Sequence, residues 1–322
     1  MTLPGLSQLQ RSGRWIRSRF VDNGLILGYH RVSAVDWDPF SLAVSPEHFA
    51  QHLDILRAHG SPVPLAELVR CLDHGRIPRA AAALTFDDGY HDNLAIARPL
   101  LERHSVAATV FVSTDHHGSE FWWDTLARLF APGQPLPATI RIAVGDRIHT
   151  WTSPPPRDVI ARRRLLFSVH RVLQVLSPAA IRTILDGLSA TLRPVSSQTS
   201  RALTADELSE LSRDDLVDIG AHGETHSLLA QLPAATQESE IQRSKAVLER
   251  VLGRPIVGFS YPYGSVSATT ADIVRRAGYA FACASHTDVA SAASHRFVLP
   301  RFWIPDWDGR TFSRWLTRWL RR

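Results

Sequence analysis

Seven short apolar runs recur along this 322-residue chain, and between most of them the pattern turns helical. They lie near Leu25–His30, Ala82–Phe86, Ala107–Val112, Val217–Ala221, Ile256–Tyr261, Tyr279–Ala284 and Phe297–Trp303. Runs this short and mainly apolar are what strands buried on both faces look like. Ser45-Pro46-Glu47 opens a helix with Phe49, Leu53 and Leu56 on one face. Thr204-Ala205-Asp206-Glu207 has the form of a capping box. The amphipathic stretch Thr236–Leu252 stops at Gly253, and Thr269–Ala277 stops at Gly278. Strands alternating with helices predict a parallel sheet or barrel.

Residues 115–203 break that rhythm. Ile140–Val144 and Arg147–Trp151 flank Gly145-Asp146 and read as a hairpin. Pro154-Pro155-Pro156 interrupts the chain, and Arg157–Leu176 and Pro178–Leu192 read as two helices. The stretch is an insertion after the third strand. Loops at the C-terminal ends of barrel strands build the active face, so the insertion is placed to roof a site.

Composition narrows the partners. Hydrophobic residues are 44% and charged residues 21%, ordinary for a globular protein. The net charge of +5 is mild, and no segment joins basic, aromatic and glycine residues as a nucleic-acid module does. No nucleic-acid partner is expected. Cys71 and Cys283 form no C-x-x-C pair, which leaves out a zinc-thiolate cluster and a redox motif. Met1–Phe20 carries Arg11, Arg14, Arg17 and Arg19 without a signal-peptide core, and no run reaches the ~20 apolar residues of a membrane span. A cytoplasmic protein is expected, with residues 1–20 as a basic N-terminal segment and 21–322 as the barrel, interrupted by the insertion 115–203. The C-terminal Trp315–Arg322 is short, basic and amphipathic. It reads first as a terminal helix packed on its own domain, and second as a peripheral contact with an anionic inner-membrane surface.

The chemistry concentrates at Thr85-Phe86-Asp87-Asp88-Gly89-Tyr90, where an apolar strand ends in two carboxylates. Adjacent carboxylates repel, so a strand end holding both calls for a cation or a shared proton. His222 and His226 follow a later strand, in His222-Gly223-Glu224-Thr225-His226. Two imidazoles and one carboxylate suit an open zinc site, leaving the second carboxylate as a base. An H-x-x-x-H alone is weak among 15 histidines. His48 and His52 share the spacing and, beside the face of Phe49, Leu53 and Leu56, read as solvated surface residues.

The two segments, in this order, resemble the polysaccharide deacetylases (carbohydrate esterase family four, the NodB-homology fold). Thr85–Gly89 matches the family's T-F-D-D-G motif, and His222–His226 its H-(S/T)-x-x-H. Ser260-Tyr261-Pro262-Tyr263-Gly264 is similar to the third motif, while Gly28-Tyr29-His30-Arg31-Val32 and Leu299-Pro300-Arg301 resemble further pieces. The likeness spans roughly 24–114 and 204–304. It implies a distorted seven-stranded (β/α) barrel and a divalent metal, zinc foremost, on Asp88, His222 and His226. It also implies Asp87 as the general base and the backbone N–H of Tyr261 as an oxyanion donor.

Three departures stand out. Gly223 replaces a hydroxyl residue that steadies the second motif. Ser260 stands where an arginine usually tethers the base, and Arg301 is the candidate substitute. The late L-x-H motif that supplies the general acid is absent. His30 is the first candidate for that role, ahead of His286 and His295. Trp122 and Trp123 open the insertion, either as sugar platforms or as anchors to the barrel.

The resemblance implies a metal-dependent hydrolase that removes an N-acyl group, acetyl foremost, from an amino-sugar glycan. Two alternatives stand beside it: a deformylase or deacylase of a lipid-linked amino sugar, and a catalytically silent sugar-binding protein on the same barrel.

Overall fold

A computed structural model describes residues 20–21, 23–116, 118–192 and 200–320. The basic N-terminal segment, apart from its last residue, lies outside the described residues. In chain order the main elements are β1 (Asn23–Tyr29), α1 (Pro46–His59), α2 (Leu65–Asp73), β2 (Ala81–Phe86), α3 (Arg98–His104) and β3 (Ala108–Val112). Next come α4 (Trp122–Leu129), the hairpin β4 (Thr139–Val144) and β5 (Arg147–Thr152), α5 (Val159–Leu173), α6 (Pro178–Leu192) and α7 (Ala205–Leu211). The chain ends with β6 (Val217–Ala221), α8 (Ala234–Leu252), β7 (Gly258–Ser260), α9 (Ala268–Arg276), β8 (Phe281–Cys283), β9 (Phe302–Trp303) and α10 (Gly309–Leu320).

All seven apolar runs become parallel strands. The order β1-β2-β3-β6-β7-β8 is continuous, with Leu27 opposite Leu84, Phe86 opposite Val110, and Ala221 opposite both Val112 and Phe259. The segment 299–303 closes the ring. Leu299 bridges Cys283 on one side, and Phe302 pairs Leu27 on the other. The result is a distorted (β/α) barrel of seven strands. Its interior is tight: a Cβ on Gly220 would lie 2.4 Å from Phe111, so only glycine fits there.

Local signals hold where they were strong. Ser45 accepts from the His48 N–H at the start of α1, and Thr204 and Glu207 form a complete capping box at α7. Gly253 ends α8 at φ +66°. The hairpin turns at Gly145, φ +56°, and packs with α4, α5 and α6 into a second apolar core of its own.

His52 differs from expectation: it is fully buried. Its Nε2 lies 2.8 Å from the Trp307 carbonyl and its Nδ1 3.3 Å from the Tyr29 hydroxyl, and the ring stacks on Phe312 at 4.2 Å. The cause is long-range. Helix α10 docks on α1 and covers a face that local periodicity assigns to solvent. Phe312 and Leu316 are buried, and Trp315 and Trp319 pack on Phe302, so the tail's apolar stripe is covered by the barrel. No described helix is long and apolar enough to cross a membrane.

Candidate active site

Asp87 and Asp88 leave the C-terminal end of β2, and His222 leaves β6 two strands away. The strand ladder fixes both: the Asp87 N–H donates to the Tyr29 carbonyl at 2.9 Å, and that of His222 to Val112 at 2.9 Å. His226 returns in the same loop. Asp88, His222 and His226 are all buried, and their donor atoms lie within 4.8 Å of one another.

Backbone strain gathers here. Six described non-glycine residues have positive φ, and three of them are Asp88 (+74°), His226 (+58°) and Tyr263 (+56°). Left-handed backbone costs an L-residue about 1–3 kcal/mol and persists where the surroundings over-determine it. Gly89 continues the turn at φ +83° against Val112.

The donor set fits a divalent metal. Asp88 Oδ1 is 3.5 Å from His222 Nε2 and 3.2 Å from His226 Nε2. A tetrahedral ion about 2.1 Å from each donor would space its donors about 3.4 Å apart. His222 Nδ1 donates to the Ser260 carbonyl at 2.8 Å, which turns Nε2 toward the cluster. Burial, with a smaller contribution from His226, lowers the His222 pKa to about 4 against the pull of Asp87 and Asp88. The imidazole is therefore neutral, as a ligand must be.

Asp87 stands beside this set, its Oδ2 3.8 Å from His222 Nε2. Arg301, fully buried, grips it with two bonds of 2.8 Å, one to each carboxylate oxygen. The same guanidinium reaches the Ser260 hydroxyl, the Thr85 hydroxyl and the Ala284 carbonyl. Ser260 also donates to Asp87 at 3.2 Å. Burial pushes the Asp87 carboxyl up, but Arg301 and then His222 more than offset it and hold it well below the usual range. Asp88 is likewise lowered, His226 and the other histidines overcoming its burial.

His30 lies in the same cavity, stacked on Trp303 at 4.5 Å, and Trp303 covers Arg301 at 4.7 Å. Burial lowers the His30 pKa, and Asp88 and Asp87 restore only part of it. His286 and His295 are exposed on a loop and do not line that cavity. Tyr261 requires a correction. Its N–H donates to the Cys283 carbonyl at 3.2 Å, because Tyr261 still belongs to the ladder with β8. Its hydroxyl is also engaged, by the Phe297 carbonyl at 2.8 Å. Pro262 has no N–H, so the next donor along the motif is Tyr263, whose ring meets His226 at 4.5 Å.

Several supporting residues escape the sequence reading. Glu240 on α8 does the steadying expected of a residue at position 223: it accepts from the Glu224 N–H (3.0 Å), the Thr225 N–H (2.9 Å) and the Thr225 hydroxyl (2.6 Å). Its signal is an acid on the buried face of an amphipathic helix. Behind His226, Trp123 donates to the Tyr90 hydroxyl (2.7 Å), which donates to Asp124 (2.8 Å). Burial raises the Asp124 pKa to about 7 although Arg31 opposes it. Trp123 is therefore an anchor, its ring 4.5 Å from His226, while Trp122 is half-buried and stacks on His170.

The cavity over these groups measures about 520 Å³ and is mainly apolar. Phe40, Trp123, Tyr263 and Trp303 form its walls, and Phe167 and His170 of α5 form its roof.

Comparison with known proteins supplies the family. The polysaccharide deacetylase family model matches residues 74–138 and 184–282, about half of the chain. The chain belongs to the polysaccharide deacetylase family. A poly-beta-1,6-N-acetyl-D-glucosamine N-deacetylase of Staphylococcus epidermidis is 29% identical over 111 residues, 30% of this chain and 38% of that protein. The chain spans about two fifths of the length of the curated relatives it matches. Among solved structures, the Streptococcus pyogenes deacetylase PplD in complex with acetate superposes with a TM-score of 0.61 at 19% identity, over 92% of this chain and 98% of that one. IcaB from Ammonifex degensii gives 0.61 at 18% identity, over 92% and 98%. At these identities the likeness establishes the shared fold. The family match omits 139–183, which holds the hairpin, α5 and the start of α6.

Proposed function

We propose that this protein is a metal-dependent hydrolase that removes an N-acetyl group from an amino sugar within a glycan. One observation carries the reading: a buried Asp88–His222–His226 donor set lies beside a second buried carboxylate, Asp87, held by Arg301. Asp88, His222 and His226 would hold the metal, zinc foremost. When bound, a divalent cation lowers the pKa of water and polarises the acyl carbonyl. That contribution matters here, because Asp87 is a weak base while Arg301 holds it charged.

In this scheme Asp87 accepts a proton from the attacking water. Arg301 and Ser260 fix the carboxylate so that one oxygen faces the donor cluster. The Tyr263 N–H lies on the motif loop at the same rim and is the proposed oxyanion donor, a contribution of about 3 kcal/mol where such a donor is well aimed. His30 is the proposed proton donor to the leaving amine. Its lowered pKa makes the imidazolium, once formed, a stronger acid than free histidine. Trp303 holds that ring flat against the cavity wall.

The test is acetate release by the metal-loaded protein on N-acetylated amino-sugar oligomers. Formate release from N-formyl analogues is measured alongside. Acetate release dependent on Asp87 supports the reading. Binding without release of either acid would mean a sugar-binding protein instead.

A further inference from the structure

The insertion carries a surface that the proposed chemistry does not use. Among the described residues six large hydrophobic side chains are exposed, and five belong to the insertion: Ile148, Val159, Ile160, Phe167 and Val175. Four of these lie on α5 or just past its end. Ile160, Arg164, Phe167, Arg171 and Val175 follow one another at helical spacing and form one stripe. The opposite face buries Leu165, Leu166, Val169 and Leu173. Arg163, Arg164 and Arg171 are exposed on the outer side, and Arg164 and Arg171 form no ion pair with a described carboxylate.

Charge supports the same face. Residues 139–175 contain seven arginines, six of them exposed and Arg162 buried, and two aspartates, on a chain whose net charge is only +5. An apolar stripe interleaved with arginine is the pattern of a helix lying in a membrane interface, with apolar groups in the acyl boundary and guanidinium groups at anionic headgroups. A second copy of the chain would bring the same arginines against one another. A purely polyanionic partner would leave Ile160 and Val175 without purpose.

We infer that the outer face of α5 docks reversibly on an anionic lipid surface. Phe167 belongs both to this stripe and to the cavity roof. Docking would therefore bring this edge of the cavity to the lipid interface, close to where a saccharide carried on a lipid would be presented. The inference does not rest on the deacetylase reading, because its readout is sedimentation.

The experiment uses the full chain with vesicles of phosphatidylglycerol or of phosphatidylcholine, at low and high salt. The wild type should sediment with phosphatidylglycerol at low salt, and screening at high salt should release it. Arg164→Glu with Arg171→Glu should weaken binding at least about 25-fold, since each arginine near an anionic surface contributes about fivefold. Ile160→Ser with Val175→Ser should weaken it about tenfold or more. Both pairs are exposed, and unchanged melting would verify the fold. Failure to sediment, equal binding to phosphatidylcholine, or binding untouched by either pair would overturn the inference. So would self-association abolished by the Ile160→Ser pair, or equal retention of wild type and that pair on a sulfated polyanion without vesicle binding.

Discussion

Replacing Arg301 by methionine tests how Asp87 is held. The guanidinium is fully buried and makes both hydrogen bonds to Asp87 at 2.8 Å. Methionine keeps much of the volume and removes the charge. Breaking a buried pair by deleting one partner costs about 3–5 kcal/mol, most of it for the charge left behind. The sign follows from Asp87. Its carboxyl is held below the ordinary 3.8, so its contribution is present above that pH and is lost as pH falls through the folded value. Without Arg301, burial dominates and the carboxyl rises, which brings the loss toward neutral pH. The assay is denaturant unfolding of wild type, Arg301→Met, Asp87→Asn and the double variant, on metal-free protein. The coupling energy should be about 3–5 kcal/mol, and the double variant should be more stable than Arg301→Met. The acid limb of kcat/KM should move to higher pH in Arg301→Met. A coupling below about 1 kcal/mol, or an unmoved limb, would refute the reasoning.

Three further outcomes are expected. His226→Ala should lose the bound metal while His52→Ala keeps it, by metal analysis of purified protein; retention by both would break the ligand assignment. His52 should make stability depend on pH. Its folded pKa is lowered to about 4 from 6.5, chiefly by burial, so the unfolded chain binds the extra proton and stability falls as pH drops from 6.5 toward 4. His48 and Asp306 on the neighbouring elements stay in place in His52→Gln, which should flatten this slope by about 1.4 kcal/mol per pH unit over that window; His170 and His222, lowered in the same way, contribute independently. Trp122→Ala should raise KM for long glycans more than it lowers kcat on a small N-acetyl sugar, because Trp122 is half-buried beside His170 and far less embedded than Trp123. Equal loss on both substrates would count against it.

The barrel was legible because each strand is buried on both faces and so announces itself as an apolar run. The hairpin and the capped helices carried local signals that tertiary packing did not override. The clustering of Asp88, His222 and His226 could be read because two motifs on strands far apart in sequence share one end of the sheet. Other features depend on packing that no local pattern encodes. His52 looked solvated because α10, about 260 residues away, covers it. The Tyr261 N–H is taken up by the Cys283 carbonyl just past the end of β7, a pairing invisible in the motif itself, and this moves the proposed oxyanion donor to Tyr263. Glu240, Tyr90 and Asp124 hold the site from behind, and only a buried acid on a helix and a tyrosine after Gly89 hint at them. Arg301 was suggested by the missing arginine at position 260, and the structure brings it against Asp87.

The most direct measurement of the central claim is metal content and acetate release on the same preparation of Asp87→Asn. The proposed base and the proposed ligand stand side by side in sequence, but Asp88 lies closest to His226 and His222, while Asp87 is gripped by Arg301. The account predicts one equivalent of divalent metal, as in wild type, and acetate release reduced by a factor of about 100 or more. Loss of the metal, or acetate release near the wild-type rate with metal bound, would contradict it.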